Sequence, residues 1–137
     1  MKFIYEIAKE DFVSAGQASS NVKKILKELG INSNIIKRTV IAMYEAEINA
    51  VIHGHGGQAL IDIDEEQIKI DIIDNGPGIA DVSFAMTEGY STASDSIREL
   101  GFGAGMGLPN IKKNVDDLKI ISEVGKGTIV KLIVNFK

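Results

Sequence analysis

Two alternating runs, "ALIDIDEE" at residues 59–66 and "QIKIDIID" at residues 67–74, stand side by side in this chain. Alternation sends apolar side chains to one face of a strand and polar ones to the other, so neighbours this close can share a buried face only as an antiparallel hairpin. A second pair, "LKIISEV" and "TIVKLIVNF", is joined by the turn "GKG" at residues 125–127, and "KFIYEI" near the N-terminus alternates like a further strand. The other periodic segments are helical. In "SAGQASSNVKKILKELG" the spacing of Val22, Ile25, Leu26 and Leu29 predicts an amphipathic helix from about Ser14, with Gly30 as its stop. A second helix runs through "NIIKRTVIAMYEAEINAVIHG", capped by Asn32 or Ser33 and ending at Gly54, and a short third one covers "LPNIKKNVDD". Together these predict an α+β two-layer sandwich: a mixed, largely antiparallel sheet with helices on one face. At 137 residues the chain is read as one domain, 1–137.

Composition excludes several function classes. The net charge of −4 and the lack of a long Lys/Arg run argue against a nucleic-acid partner. No apolar stretch approaches the roughly 20 residues of a membrane span. There is no cysteine for disulfide or thiolate chemistry, and "MKFIYEIAKEDF" lacks the apolar core of a signal peptide. The expectation is a soluble cytoplasmic protein with no membrane association.

Residues 75–107 have no periodicity, and loops this long in a compact domain are usually functional or mobile. The interior, "TEGYSTASDSIREL", is small and polar like a lid, taken here as about 80–107; residues 87–100 are expected to be mobile without nucleotide and protected with it. At one border "DNGPGI" joins a fixed carboxylate, Asp74, to the permissive backbone of Gly76 and Gly78; the same residues also make a common turn. At the other, "GFGAGMG" places Gly101, Gly103, Gly105 and Gly107 at alternate positions directly before a helix near Leu108. Bare backbone leading into a helix N-terminus is suited to holding an anion. Neither familiar phosphate loop fits. The Gly125-Lys126 pair lacks a glycine at position 120 and a hydroxyl at position 127, and a dinucleotide reading from Gly103 ends on Leu108 with no strand leading into it.

On the second helix Glu45 and Asn49 lie four residues apart, on one face with Ile41, Ile48 and Ile52. Either both bond to polar neighbours inside the fold, or the Asn oxygen holds Mg²⁺ while the Glu handles protons. Glu47 points elsewhere on the helix and is read as solvated. His53 and His55 in "HGHGG" have no third ligand nearby and are read as surface residues rather than a metal site.

These pieces, in this order, resemble the GHKL ATPase superfamily of gyrase, heat-shock chaperone ATPases, histidine kinases and MutL. Glu45-x-x-x-Asn49-Ala50 resembles its N box, Asp74-x-Gly76-x-Gly78 its G1 box, Gly103-x-Gly105-x-Gly107 its G2 box, and Thr128 the threonine after a late "GKG" turn. The resemblance implies the Bergerat ATP-binding fold with ATP and Mg²⁺ as ligands. It implies that Asp74 accepts the adenine amino group with support from Thr128, and that Asn49 ligates Mg²⁺. It also implies that Glu45 is the general base and that the glycines bring backbone amides to the triphosphate.

Within that superfamily the chain is similar to the bacterial anti-sigma-factor serine kinases, above all the switch kinase of the stress complex. This implies a serine/threonine kinase that phosphorylates a STAS-domain antagonist, with a PP2C-type phosphatase or a sigma factor as further partner; homodimerisation is left open. The alternative is a nucleotide-gated binding module that sequesters a sigma factor or activates a phosphatase with little catalysis. A histidine kinase reading lacks a phosphoacceptor segment. Related anti-sigma kinases carry an arginine close to the last lid glycines; here "GAGMG" has none, and Arg98 before the run is given no role.

Overall fold

A computed structural model of the protein describes residues 1–7, 15–52, 56–76 and 107–137. They form strands β1 (Lys2–Ile7), β2 (Gly57–Ile63), β3 (Gln67–Asp74), β4 (Asp117–Glu123) and β5 (Gly127–Asn135), and helices α1 (Gln17–Glu28), α2 (Ser33–Ile52) and α3 (Gly107–Asn114). Both expected strand pairs form, and the sheet order is β1-β2-β3-β5-β4. All four ladders among the described residues are antiparallel. The chain therefore leaves β3, builds α3, adds β4 at the edge, and returns through β5 to the centre.

Alternation decides which face is covered. Ala59, Ile61 and Ile63 of β2, Ile68, Ile70 and Ile72 of β3, and Val130, Leu132 and Val134 of β5 form one buried surface. The helices pack against it through Val22, Leu26, Ile36, Met43, Val51 and Ile111, which gives the expected two layers. On the other face, Gln58, Asp62 and Lys69 are exposed.

Local chemistry sets the helix ends. The α1 helix closes with a Schellman motif: Gly30, at φ 75°, donates to the Lys27 carbonyl, and Ile31 donates to that of Leu26. The α2 helix starts as the sequence suggests, with the Asn32 side chain accepting from the Asn34 N–H at 2.9 Å. Its last described residue is Ile52; Gly54, where the sequence placed its end, lies outside the described residues.

The N-terminus of α1 overturns one expectation. Its N-cap, Gly16, has no side chain to offer, and Glu47 of α2 supplies the acceptors instead. One carboxylate oxygen accepts from Gly16 N at 2.8 Å and Ala18 N at 3.4 Å, and the other from Ser19 N at 3.2 Å. Glu47 is thus buried, at 3% exposure, rather than solvated. The reason is that α2 is covered on more than one side, so a residue turned away from the Glu45 face meets α1 instead of water. A negative charge at the positive end of a helix, with three N–H groups around it, is a favourable home for a buried carboxylate.

Glu47→Ala leaves three buried donors without an acceptor. It is expected to cost about 3 kcal/mol, or roughly 10 °C in melting temperature, whereas Glu65→Ala on the exposed β2–β3 turn should stay within about 0.5 kcal/mol. Thermal melts of both variants check this, and a Glu47→Ala protein as stable as the parent would contradict it.

Candidate functional site

One end of the sheet gathers the candidate residues. The last residue of β3, Asp74, is opposite Gly57 in the β2 ladder, and the β3–β5 ladder brings the start of β5 alongside it. Asp74 Oδ1 accepts from the Gly76 N–H at 2.9 Å and from the Thr128 N–H at 3.1 Å. Asp74 and Thr128, 54 residues apart, are therefore in direct contact. The Thr128 hydroxyl lies 2.8 Å from that of Ser122 on β4. Gly127, at φ 110°, makes this approach feasible, because a Cβ there would collide with the Asp74 carbonyl oxygen.

The second helix reaches the same end. The Gly56 N–H donates to the Ala50 carbonyl at 2.9 Å, and the Gly56 carbonyl accepts from the Asn75 N–H at 3.3 Å. Gly56 thus ties the α2 turn that carries Asn49 to the residue after Asp74. Asn49 and Glu45 are both half-buried, one helical turn apart.

The third helix supplies the remaining wall. Arg38, early on α2, donates from Nε to the Asn114 carbonyl at the end of α3, at 3.1 Å. Glu45, two turns later on α2, is close to the side chain of Asn110 in the first half of α3. The two helices are therefore antiparallel, and Gly107, the first residue of α3, lies toward the part of α2 that bears Asn49. Pro109 fits the first turn, where a missing N–H costs nothing.

Burial pushes the Glu45 carboxyl above its ordinary value, and the Asn110 hydrogen bond pulls it part of the way back. A half-buried carboxyl held by one amide is a group able to exchange a proton.

Of the sequence-derived site residues, Asp74, Gly76 and Thr128 are joined by hydrogen bonds, Glu45 and Asn49 share the facing helix, and Gly107 opens α3. Gly78, Gly103 and Gly105 lie outside the described residues, as do Arg98, His53, His55 and nearly all of the lid. Sequence reasoning passed over Ser122 and Asn110. The first could have been found by counting outward from the "GKG" turn, which sets Ser122 against Thr128. For Asn110 the only signal is a polar residue between Leu108 and Ile111, which is weak. Among the described residues no group of three or more His, Cys, Asp or Glu could hold a metal ion.

Set against known proteins, residues 34–137 match the family of histidine kinase-, DNA gyrase B- and HSP90-like ATPases. The chain belongs to that ATPase family. Within this ATPase family it is 33% identical over 127 residues to the serine/threonine-protein kinase RsbT of Bacillus subtilis, covering 90% of this chain and 87% of the relative. It is 32% identical over 133 residues to the anti-sigma F factor of Clostridium acetobutylicum, covering 93% and 86%. It therefore stands in the branch of the family that holds serine/threonine kinases and anti-sigma factors. Two solved structures share the fold at low identity. The RsbU and RsbW domains of a Mycobacterium tuberculosis protein superpose with TM-score 0.64 at 16% identity, over 98% of this chain and 32% of that one. The mycobacterial sensor histidine kinase MprB does so with TM-score 0.56 at 14% identity, over 98% and 97%. Among the described residues no helix is long and apolar enough to cross a membrane.

The position of Glu45 gives a pH signature with a definite sign. Because its folded-state pKa lies above the ordinary 4.5, its protonated form is favoured by folding; that contribution is present below 4.5 and is lost as pH rises through the folded-state value. The parent should lose stability relative to Glu45→Gln over that window, so Glu45→Gln is expected to be as stable as the parent, or more so, at pH 7. Denaturant unfolding of both proteins at a series of pH values checks this, and a difference of opposite slope would contradict it.

Proposed function

We infer that residues 1–137 act as a single ATP-binding kinase domain that transfers the γ-phosphoryl group of Mg²⁺-ATP to a serine of a STAS-domain antagonist. The observation that carries this is the convergence of a pinned carboxylate, Asp74, with the half-buried Glu45 and Asn49 at one end of the sheet. The residues fit a nucleotide. Asp74 is held by two backbone donors, so its carboxylate has a set direction from which to accept the adenine amino group, and Thr128 with Ser122 borders the same edge. The start of α3 is a helix N-terminus on this side of the site, suited to the phosphates. Asn49 offers an amide oxygen, a hard donor of the kind Mg²⁺ accepts when phosphates and water supply the rest. When bound, Mg²⁺ neutralises negative charge on the phosphates.

In the transfer step Glu45 takes the proton of the acceptor hydroxyl as its oxygen bonds to the γ-phosphorus. The bond from that phosphorus to the bridging oxygen breaks, and ADP leaves with the electron pair. A Glu pKa raised by burial is closer to the operating pH than an exposed one and serves better as a base. In the cell the reading is a cytoplasmic switch. The phosphorylated antagonist lets go, and the kinase is then available to a sigma factor or a phosphatase, the roles that the names of its relatives suggest.

Removing the Asp74 carboxylate should weaken ATP binding by about 10- to 150-fold, the loss of a charged hydrogen bond of roughly 1.5–3 kcal/mol. Calorimetry on Asp74→Ala checks it; undiminished affinity would end the adenine assignment. Glu45→Ala should keep the fold and ATP affinity yet lose roughly 10²- to 10⁴-fold in transfer to a STAS-domain serine. Melting, ATP titration and transfer rate are to be measured together on parent and variant. Transfer at the parental rate would remove Glu45 from the chemistry, and a parent that binds ATP but transfers to no STAS protein encoded beside it would leave a nucleotide-gated binding module.

A further inference from the structure

Asp74 supplies only half of what the edge of adenine requires. An ionised carboxylate accepts and cannot donate, so it meets the amino group but not the neighbouring ring nitrogen, N1, which is itself an acceptor. A base held at this edge needs a donor beside Asp74. The residue that touches Asp74 across the ladder is Thr128, whose N–H reaches Asp74 Oδ1 at 3.1 Å. Its hydroxyl carries one proton, and whether that proton is offered to a base depends on what else claims it.

Ser122 is the group that decides. The β4–β5 ladder sets Ser122 opposite Thr128, in the same alternation that sets Ile120 opposite Val130 and Leu118 opposite Leu132, so both hydroxyls lie on the helix-covered face of the sheet. Ser122 Oγ is 2.8 Å from Thr128 Oγ1 and 3.3 Å from the Gly127 carbonyl oxygen. The first distance is that of a well-formed O–H···O bond and the second lies beyond the usual range, so of these two acceptors Thr128 takes the Ser122 proton. The reverse arrangement would have Thr128 donate to Ser122 and turn only lone pairs to a ligand. With Ser122 as donor, Thr128 accepts from its neighbour and its own proton is released toward the base. Thr128 is buried, at 6% exposure, and branched at Cβ, so its oxygen is held and the direction of the proton is what remains to be set.

We propose that Ser122 is a positioning residue that sets base specificity: its hydroxyl donates to Thr128 Oγ1 and directs the Thr128 proton to the base edge, where, beside the Asp74 acceptor, it selects a purine whose amino group adjoins a ring acceptor. The assignment rests on the reading of Asp74 and Thr128 as the adenine edge. A 6-oxo purine presents the reverse order, an acceptor at O6 and an N–H at N1, so it would set an oxygen against Asp74 and a proton against the Thr128 proton. The hydrogen bonds from Ser122 to Thr128 and from Thr128 to N1 run in one direction, in which each strengthens the next. Neither Glu45 nor Asn49 takes part in them, so transfer at saturating nucleotide does not depend on Ser122.

The test measures the affinity of the full chain, with Mg²⁺, for three nucleotides: ATP; 1-deaza-ATP, in which a C–H replaces the N1 acceptor; and purine riboside triphosphate, which keeps N1 and lacks the 6-amino group. The parent is expected to bind 1-deaza-ATP about tenfold more weakly than ATP, the equivalent of one hydrogen bond. In Ser122→Ala the Thr128 proton is no longer directed, and that ratio should fall to about threefold, through weaker binding of ATP rather than tighter binding of the analogue. Discrimination against purine riboside triphosphate, which Asp74 supplies, should stay parental, as should kcat for transfer to a STAS-domain serine. Ser122→Thr, which keeps a hydroxyl, should restore the first ratio. A merely structural Ser122 would weaken all three nucleotides alike and leave both ratios parental. A parental ratio of 1-deaza-ATP to ATP in folded Ser122→Ala would therefore overturn the inference, as would a parent that binds the two equally, since Thr128 then gives no proton to N1. A parent that binds purine riboside triphosphate as tightly as ATP would instead overturn the adenine assignment of Asp74, and the inference with it. Should Ser122→Ala not fold, Ser122→Cys, a weak donor of similar shape, decides by the same ratio.

Discussion

Two glutamates, Glu45 and Glu47, stand two residues apart on α2 and so project about 200° apart around it. The rest of the molecule is arranged by what each one meets. Glu47 is enclosed by the first turn of α1, where three backbone N–H groups and the positive end of the helix satisfy it. Glu45 faces α3 and has the Asn110 amide against a substantial loss of solvation. The same side chain in two settings becomes, in one case, the joint that fixes α1 to α2 and, in the other, a half-buried carboxyl on the opposite face. For Glu45, burial raises the carboxyl above its ordinary value.

The sheet makes the second half of the site, and it does so through long-range pairing. Neither Asp74 nor Thr128 is held in place by its own loop alone. The β3–β5 ladder sets Ile73 against Ile129, and only then can the Thr128 N–H reach Asp74. The close approach at Gly127 follows from the same register, as does the position of Ser122 across the β4–β5 turn. Inserting β5 between β3 and β4 thus brings together residues from segments that are far apart in the chain.

These facts explain what could be read from the sequence. Alternation, the Gly30 stop and the Asn32 cap are local signals, and the strands, both hairpins, the end of α1 and the start of α2 appear much as the spacing suggests. The pairing of Asp74 with Thr128 came through family resemblance, because nothing local connects residues 54 apart. Glu47 was misread for a physical reason. In α2 the buried residues include Ile36, Thr39, Ala42, Met43, Ala46, Glu47, Ile48, Ala50 and Val51, which go most of the way round the helix. A helix enclosed over so much of its circumference leaves only a narrow exposed side, at Lys37 and Tyr44, so an acid off the Glu45 face need not be solvated. Asn110 was passed over because its place near Glu45 depends on the packing of α3 against α2, which its neighbours in sequence do not reveal.

That packing is unequal along its length. At the far end of α3, Arg38 donates to the Asn114 carbonyl and pairs with Asp116, whose other oxygen accepts from the Asn135 N–H at 2.7 Å. The Asn135 N–H first, and then Arg38, hold the Asp116 carboxyl below its ordinary value. The ion pair alone, with both side chains more than a third exposed, would add at most about 1 kcal/mol. Its effect comes from shared partners: one carboxylate joins α2 to the last strand while the same guanidinium caps α3. At the other end Asn110 is close to Glu45. The helix is thus anchored to the body of the protein at its C-terminus, and its first half faces Glu45. The Arg38–Asn114 contact and the core around Ile111 thus set where α3 lies along α2, and with it which side chains of α3 stand beside Glu45.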